Sequence, residues 1–151
     1  MKNIIGILIA LLSYSVKAEF TVEQLEAFDA WVYQHLIPTE KEILVFGALI
    51  EVASKEVSTN GGMAELKEYA FNNGHISALV FSPENVNVLG IKSTAPGYTL
   101  NNGVSVGDSS TVLHVMPIPS ENGEYCGINN CVKFSLKNEV IASFTIEFYV
   151  D

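Results

Sequence analysis

The last third of the chain carries the pattern that most restricts its fold. Along residues 140–150, apolar side chains alternate with mostly polar ones at every second position, which is the period of a β-strand with one buried face. Residues 131–136 predict a second strand, and residues 137–139 predict the turn that joins the two. The predicted buried positions of the final strand are Val140, Ala142, Phe144, Ile146, Phe148 and Val150. Such a hairpin requires an antiparallel sheet.

Residues 22–36 predict a helix. Thr21 and Gln24 have the spacing of a capping box, in which each side chain accepts a hydrogen bond from the other residue's backbone N–H. Apolar side chains then recur at intervals of three and four residues, and Pro38 ends the segment. Trp31, the only tryptophan in the sequence, is predicted to anchor this helix in the core.

Two segments fit a helix and a strand almost equally well. Residues 40–56 begin with capping-box spacing, which favours a helix over much of the segment, but Gly47 and the β-branched content favour a buried strand. Residues 64–71 have the composition of a helix that would stop at Asn73 and Gly74, yet Asn-Gly is also a strong hairpin signal. The sequence favours a helix in the first segment and leaves the second open.

The middle of the chain contains shorter elements. Residues 76–81 and 86–91 predict two strands, and residues 58–62 predict a loop. A short helix is expected to begin with Asp108 as its N-cap and to end by Met116, because prolines follow.

The predicted fold class is α+β, with an antiparallel sheet and helices packed on one of its faces. Residues 134–144 align with residues 69–79, since the apolar positions and the turn coincide. If this internal similarity reflects a repeat, the chain contains two helix-plus-hairpin half-repeats and residues 64–71 form a strand. Chance similarity between two amphipathic hairpins explains the alignment equally well.

The first 18 residues have the layout of a secretory signal peptide. Lys2 precedes an apolar run at residues 4–12, and Val16 and Ala18 occupy the positions that a signal peptidase recognises. The run is far shorter than the roughly 20 residues that span a bilayer. We therefore expect cleavage after residue 18, one mature domain over residues 19–151, a periplasmic or secreted location, and no membrane insertion after cleavage.

The charge of the chain excludes one class of partner and favours another. The sequence has 17 acidic residues, 8 lysines and no arginine, and its formal charge is −9. Loss of the predicted signal peptide removes Lys2 and Lys17 but no acidic residue, so the charge becomes −11. Such a chain repels nucleic acid and attracts a cationic protein partner. The same carboxylates are also explained by solubility alone.

Cys126 and Cys131 enclose four residues and predict a disulfide, because an isolated pair so close in an exported chain is most simply bonded. Closing this ring is worth about 2 kcal/mol. The spacing differs from a C-x-x-C redox pair, and the three histidines lack metal-ligand spacing, so we predict no metal and no cofactor. A rigid loop of this kind also suits a binding surface. Its candidate contact residues are Glu121, Glu124, Tyr125, Ile128, Asn129 and Asn130.

The sequence also argues against catalysis. It contains no H-E-x-x-H segment and no phosphate-binding glycine loop. His35, His75 and His114 lie far apart along the chain and are predicted to be surface or packing residues. Pairs of carboxylates remain candidate catalytic groups, because the acidic residues allow many pairs. We therefore predict a protein that is not an enzyme.

Residues 103–109 (GVSVGDS), followed by a short helix and two terminal strands, resemble a pattern in the β-lactamase-inhibitor-protein-like group of small exported bacterial proteins. The resemblance covers residues 64–151, and the N-terminal third departs from it. It implies a protein without enzymatic activity whose sheet face and loops bind another protein.

Residues 120–131 resemble periplasmic lysozyme inhibitors, some of which carry a C-x4-C loop on a sheet and others a Ser/Gly/Tyr signature. The loop of this chain lacks the histidine of the first kind and matches the spacing of the second only loosely. The resemblance implies where a binding surface lies.

The favoured hypothesis is therefore an exported protein-binding protein, an inhibitor or immunity factor against a cell-wall hydrolase or antibacterial effector. The alternative is a structural or assembly component of the bacterial envelope. A third hypothesis is a small-ligand binder with an apolar cleft beside Trp31.

Overall fold

A computed structural model describes residues 20–120 and 122–149. The predicted signal peptide and Glu121 lie outside the described residues. The helical elements are the α-helices α1 (Val22–Tyr33) and α2 (Glu40–Ile43) and a 3₁₀ helix (Ser110–Val115). The strands are β1 (Leu49–Thr59), β2 (Gly62–Phe71), β3 (Gly74–Ser82), β4 (Asn85–Ser93), β5 (Glu124–Cys126), β6 (Asn130–Lys137) and β7 (Val140–Phe148).

The seven strands form one antiparallel sheet in the order β1-β2-β3-β4-β7-β6-β5. The described chain is mostly sheet with some helix, which agrees with the predicted α+β class at a coarse level. One face of the sheet carries the core and receives Phe28 of α1 and Ile43 of α2; we call it the covered face. The other carries the alternate residues, such as His75 and Leu79 of β3, and is called the open face.

Helix α1 begins as predicted. Thr21 Oγ1 accepts a hydrogen bond from Gln24 N at 3.2 Å, and Thr21 N donates to Gln24 Oε1 at 3.0 Å. The helix ends three residues before the predicted position 36. Trp31 packs against the core beside Phe28, which confirms the prediction that it anchors the helix.

The predicted helix over residues 40–56 is wrong beyond its first turn. Only Glu40–Ile43 is helical, and Leu49–Thr59 forms β1. The cause is tertiary: a Cβ atom at Gly47 would overlap the Asn73 side chain, and β2 lies beside β1 and pairs with it. Residues 58–62 are a tight hairpin rather than a loop, because strand pairing continues to Thr59. Residues 64–71, left open by the sequence, belong to β2.

A β-bulge changes the predicted buried face of the last strand. Ser135 pairs with Ser143 and Leu136 pairs with Ile141, so Ala142 is an extra residue. A bulge reverses the alternation on one side of it. Ile141 is therefore buried, whereas Val140 and Ala142, both predicted to be buried, are exposed. The prediction is confirmed beyond the bulge for Phe144, Ile146 and Phe148, and Val150 lies outside the described residues.

The predicted N-cap of the short helix is also corrected. The helix is 3₁₀, and Ser109 caps it by accepting from Thr111 N at 3.3 Å. Asp108 instead closes the preceding turn, since its Oδ2 accepts from Ser105 N at 2.8 Å. The helix ends before Met116, as the prolines predicted. Within the described ranges, no helix has the length and apolar character that crossing a membrane requires.

Candidate functional site

The loop enclosed by the two cysteines lies at the β5–β6 end of the sheet. Cys126 and Cys131 face each other in the pairing of these two strands, and their sulfur atoms are at disulfide distance. The predicted disulfide is confirmed. We call residues 126–131 the disulfide loop.

A buried carboxylate of α1 fastens this loop. Asp29 Oδ2 accepts hydrogen bonds from Ile128 N at 2.9 Å and from Asn129 N at 3.0 Å, and Asp29 Oδ1 accepts from Asn130 Nδ2 at 3.1 Å. Asp29 is only 5% exposed. A buried carboxylate is tolerated only when it is well hydrogen-bonded, and here the loop supplies three donors. The carboxylate and the loop therefore depend on each other.

Gly127 allows the loop to approach the helix this closely. A Cβ atom at this position would overlap the Asp29 carboxylate and lie 2.9 Å from the Leu25 carbonyl oxygen. Gly127 N also donates to the Asn130 carbonyl oxygen at 2.9 Å, which closes the turn. The loop is thus held covalently, by its own backbone and by the helix.

A cleft opens between this loop and the end of α1. Strand β4 extends past the end of β7, because their pairing starts only at Gly90 and Glu147. No described residue of β7 pairs with the first part of β4; Val86 N instead donates to the Pro38 carbonyl oxygen at 3.3 Å. The cleft has a volume of about 340 Å³, and we call it the loop cleft. Its lining residues are Tyr33, Leu36, Ile37, Pro38, Val86, Asn87, Val88, Asn129, Phe148 and Tyr149.

The lining of the loop cleft carries no formal charge and exposes large apolar surface. Tyr33, Leu36 and Tyr149 are each between 43% and 55% exposed. Asn87 and Asn129 supply the polar groups. Tyr149 N donates to the Asn129 carbonyl oxygen at 2.9 Å, so the disulfide loop is also tied to the chain that follows β7.

The open face beside the cleft is acidic. Lys133 Nζ lies 2.9 Å from Glu147 Oε2, and this hydrogen bond raises the pKa of the Lys133 ammonium. Tyr149 Oη donates to the same carboxylate at 3.0 Å, which raises the pKa of the Tyr149 hydroxyl. Glu124 lies opposite Lys133 on β5. One lysine therefore faces two carboxylates, and the group keeps a net negative charge.

The structure places the predicted contact residues in two groups. Ile128 is 51% exposed, Asn129 lines the loop cleft, and Glu124 is exposed on β5. Tyr125 and Asn130 are buried. Tyr125 packs edge-to-face against an aromatic ring of β6, with 5.6 Å between the ring centroids, and Asn130 bonds Asp29. These two residues hold the loop in place.

The sequence interpretation missed Asp29, Tyr33, Leu36 and Tyr149. Asp29 had a detectable signal, because it follows Leu25 by four residues and therefore lies on the apolar stripe of the helix. A charged residue there needs a partner, but the donors are about 100 positions away in the chain. Nothing in the local pattern identifies them.

The three histidines lie on different elements. His35 follows α1 and is buried; its Nδ1 is 2.9 Å from Tyr98 Oη, and burial lowers its pKa to about 4. His75 Nε2 lies 2.9 Å from Glu68 Oε2 on the open face, and His114 is exposed in the 3₁₀ helix. Across residues 20–120 and 122–149, no three potential metal-ligating side chains come together.

Residues 103–107 also fit the G-x-S-x-G pattern of serine hydrolases, so Ser105 has to be considered as a nucleophile. That pattern is functional when the serine sits in a strained turn between a strand and a helix. Ser105 lacks the positive φ of a strained backbone, and its Oγ donates to the Tyr98 carbonyl oxygen at 3.5 Å. Within the described residues, no histidine is hydrogen-bonded to it. The backbone of the segment forms a turn, in which Asp108 N donates to the Ser105 carbonyl oxygen at 3.3 Å.

Comparisons with protein-family models, with curated proteins and with solved structures find no match. The resemblances in residues 64–151 and 120–131 therefore stay predictions.

Proposed function

We propose that this chain is an exported protein that binds another protein through its disulfide loop and loop cleft. It acts as an inhibitor or immunity factor against a cell-wall hydrolase or an antibacterial effector. The observation that supports this best is a loop fixed by a disulfide and by Asp29 beside a cleft with exposed tyrosines.

The rigidity of the loop favours binding. A flexible loop loses conformational entropy when it is ordered by a partner, and this loss weakens the complex. Here the backbone N–H groups of Ile128 and Asn129 are already bonded to Asp29. The loop thus presents the exposed Ile128 side chain in a fixed position.

The composition of the cleft suits a protein partner. Tyrosine is enriched among the residues that dominate binding energy at interfaces, because it combines a large apolar surface with a polar end. Tyr33 and Tyr149 flank a lining whose other residues are aliphatic or amide side chains and Phe148. A partner that inserts an apolar side chain would bury these rings and could hydrogen-bond Asn87 and Asn129.

The charge of the chain supports a cationic partner. The formal charge of −9 accelerates encounter with a basic protein. Glu124 and Glu147 place part of that charge next to the disulfide loop. We therefore expect the association rate to fall as salt is added.

The disulfide supports export, since such bonds persist in oxidising compartments such as the periplasm and the extracellular space. Both locations are compatible with contact with a cell-wall hydrolase.

The test is an inhibition assay on purified peptidoglycan with a panel of cationic lysozymes and other cell-wall hydrolases, including hydrolases that act as antibacterial effectors. The exported protein is expected to slow at least one of them. Ile128→Asp and Tyr149→Ala should each weaken this inhibition by about tenfold or more, as at other buried interface positions. Leu136→Asp is the matched control, because Leu136 is similarly exposed but lies at the β6–β7 turn.

The proposal is wrong if the protein inhibits no hydrolase in the panel, or if Ile128→Asp inhibits as strongly as the unchanged protein. If, in addition, loss of the gene weakens the envelope without changing sensitivity to any hydrolase, the chain is an envelope assembly component.

A further inference from the structure

The opposite end of the sheet has an open edge. Strand β1 pairs with β2 on one side, and no described strand pairs with its other side. It is 11 residues long and exposed along nearly all of its length. Ile50, for example, is 70% exposed. A long edge of this kind has unpaired backbone N–H and C=O groups that can bind a further strand.

We infer that this edge binds β1 of a second copy of the chain. The two strands run antiparallel around a two-fold axis at Ala53, and the two sheets join into one. The charges of Glu51 and Lys55 on β1 indicate that the partner strand belongs to a second copy, and they determine the register of the pairing.

Glu51, Ala53 and Lys55 lie on the same face of β1. They pair with Ala70, Glu68 and Leu66 of β2, which belong to the open face of the sheet. In an antiparallel pair with its two-fold axis at Ala53, residues equally distant from Ala53 face each other. Glu51 then faces Lys55 of the second copy, and Lys55 faces Glu51 of the second copy. Each dimer contains this attractive pair twice.

Neighbouring registers lack this match. An axis at Ser54 places Lys55 opposite Ala53 and Glu51 opposite Val57. An axis at Val52 places Glu51 opposite Ala53. An axis at Glu51 or at Lys55 places two like charges face to face, which is destabilising. Among these registers, the one centred on Ala53 alone pairs Glu51 with Lys55. The third charge of β1, Glu56, then faces Ile50 of the second copy.

Both charges are available for this contact. Four ion pairs occur within the described residues, and neither Glu51 nor Lys55 belongs to any of them. The same contact would cover Ile50 and Val52, whose side chains are exposed along the edge. Burial of this apolar surface stabilises the pairing, and the charges of Glu51 and Lys55 determine its register.

The dimer does not depend on the proposed inhibitor function. Strand β1 and the disulfide loop are at opposite ends of the seven-stranded sheet, so pairing through β1 leaves the loop cleft accessible. Inhibition can therefore be measured in a variant that does not dimerise, and dimerisation can be measured in a variant that does not inhibit.

The test is sedimentation velocity of the exported protein with two charge reversals. Glu51→Lys places two pairs of lysines across the axis, and Lys55→Glu places two pairs of glutamates there. Each variant is expected to raise the dimer dissociation constant by about tenfold or more. The double variant E51K/K55E restores the opposite charges and should form the dimer again. An equimolar mixture of the two single variants should form a heterodimer.

The matched controls are Glu84→Lys in the β3–β4 turn and Lys137→Glu at the end of β6. They change the net charge equally at exposed positions away from β1, and both should remain dimeric. Far-UV circular dichroism verifies that each variant is folded. The inference is overturned if the unchanged protein is a monomer at every concentration tested, or if Glu51→Lys remains a dimer. It is also overturned if the controls dissociate like the single variants, or if neither the double variant nor the mixture recovers the dimer.

Discussion

The two ends of the sheet are built in opposite ways. At the β5–β6 end, the edge strand has three residues, and the loop beside it is held by a disulfide and by a buried carboxylate of α1. At the β1 end, the edge strand has 11 residues and is exposed over most of its length. One end is therefore restrained and shaped by its own chain, whereas the other is left available to a second strand.

This difference has an energetic consequence. Large losses of stability arise when a buried group loses its partners, whereas exposed substitutions change stability little. Residues at the disulfide-loop end are expected to affect the unfolding free energy of the monomer. Residues along β1 are expected to affect association.

The largest effect is expected for Asp29→Ala. It leaves the N–H groups of Ile128 and Asn129 and the amide of Asn130 without their acceptor, and should lower the unfolding free energy by about 3 kcal/mol. Urea unfolding measures this loss. Glu51→Ala on β1 is the control and, at concentrations where the chain is a monomer, should change the unfolding free energy by less than about 0.5 kcal/mol. Equal effects of the two variants would contradict the comparison between the two ends.

The next effect is a loss of stability in acid through His35. Burial lowers the folded-state pKa of His35 from 6.5 to about 4, so the unfolded chain binds the proton more readily. The stabilising contribution is complete above pH 6.5, falls as the pH drops towards 4, and is absent below that value. The loss is at most about 3 kcal/mol.

Unfolding free energies measured across this pH range check the prediction, with Trp31 as the probe because its ring lies 5.4 Å from the His35 ring. His35→Asn should flatten the profile, and His75→Gln on the open face should not. On the β1 side of the sheet, stability is lost at a lower pH. Hydrogen bonds from Lys67 and Tyr69 lower the pKa of Glu40 below 4.5, so the stability that ionised Glu40 contributes is lost as the pH falls through that lowered pKa. An unfolding free energy that does not change between pH 7 and pH 4 would contradict the role of His35.

The sequence predicted the fold best where the pattern is periodic and the partner is adjacent. The β6–β7 hairpin follows from alternation and a short turn, and its error at Ala142 comes from a bulge that only strand pairing reveals. The prediction of a helix over residues 40–56, where β1 begins, was wrong because residues 43–50 are apolar on every side. Periodicity cannot separate a strand from a helix in such a segment. Pairing with β2 decides the outcome.

The candidate site was predicted in part for a similar reason. Cysteine spacing located the disulfide loop, but it could not distinguish exposed Ile128 from buried Asn130, because burial depends on α1. The rest of the cleft comes from the end of α1, the start of β4 and the residue after β7. These segments are distant in the sequence, so no local pattern joins them.

Removal of the disulfide tests the restrained end in a different way. Cys126→Ser together with Cys131→Ser should lower the unfolding free energy by about 2 kcal/mol, the entropy of closing a six-residue ring. Asp29 still binds the loop in this variant, so the Ile128 and Asn129 amides should stay partly protected from hydrogen exchange. Complete loss of their protection would show that the disulfide alone holds the loop.

The smallest effect is expected at the open edge. Ile50→Thr replaces a side chain that is 70% exposed and should change the unfolding free energy by less than about 0.5 kcal/mol at concentrations where the chain is a monomer. Ile146→Thr, at a fully buried position of β7, is the matched control and should cost about 2 kcal/mol or more, because it removes packing and buries a hydroxyl. A loss above about 1 kcal/mol for Ile50→Thr would exceed the effect of an ordinary surface substitution. It would show that the β1 edge is already packed within one chain, and the pairing of two copies would lose its basis.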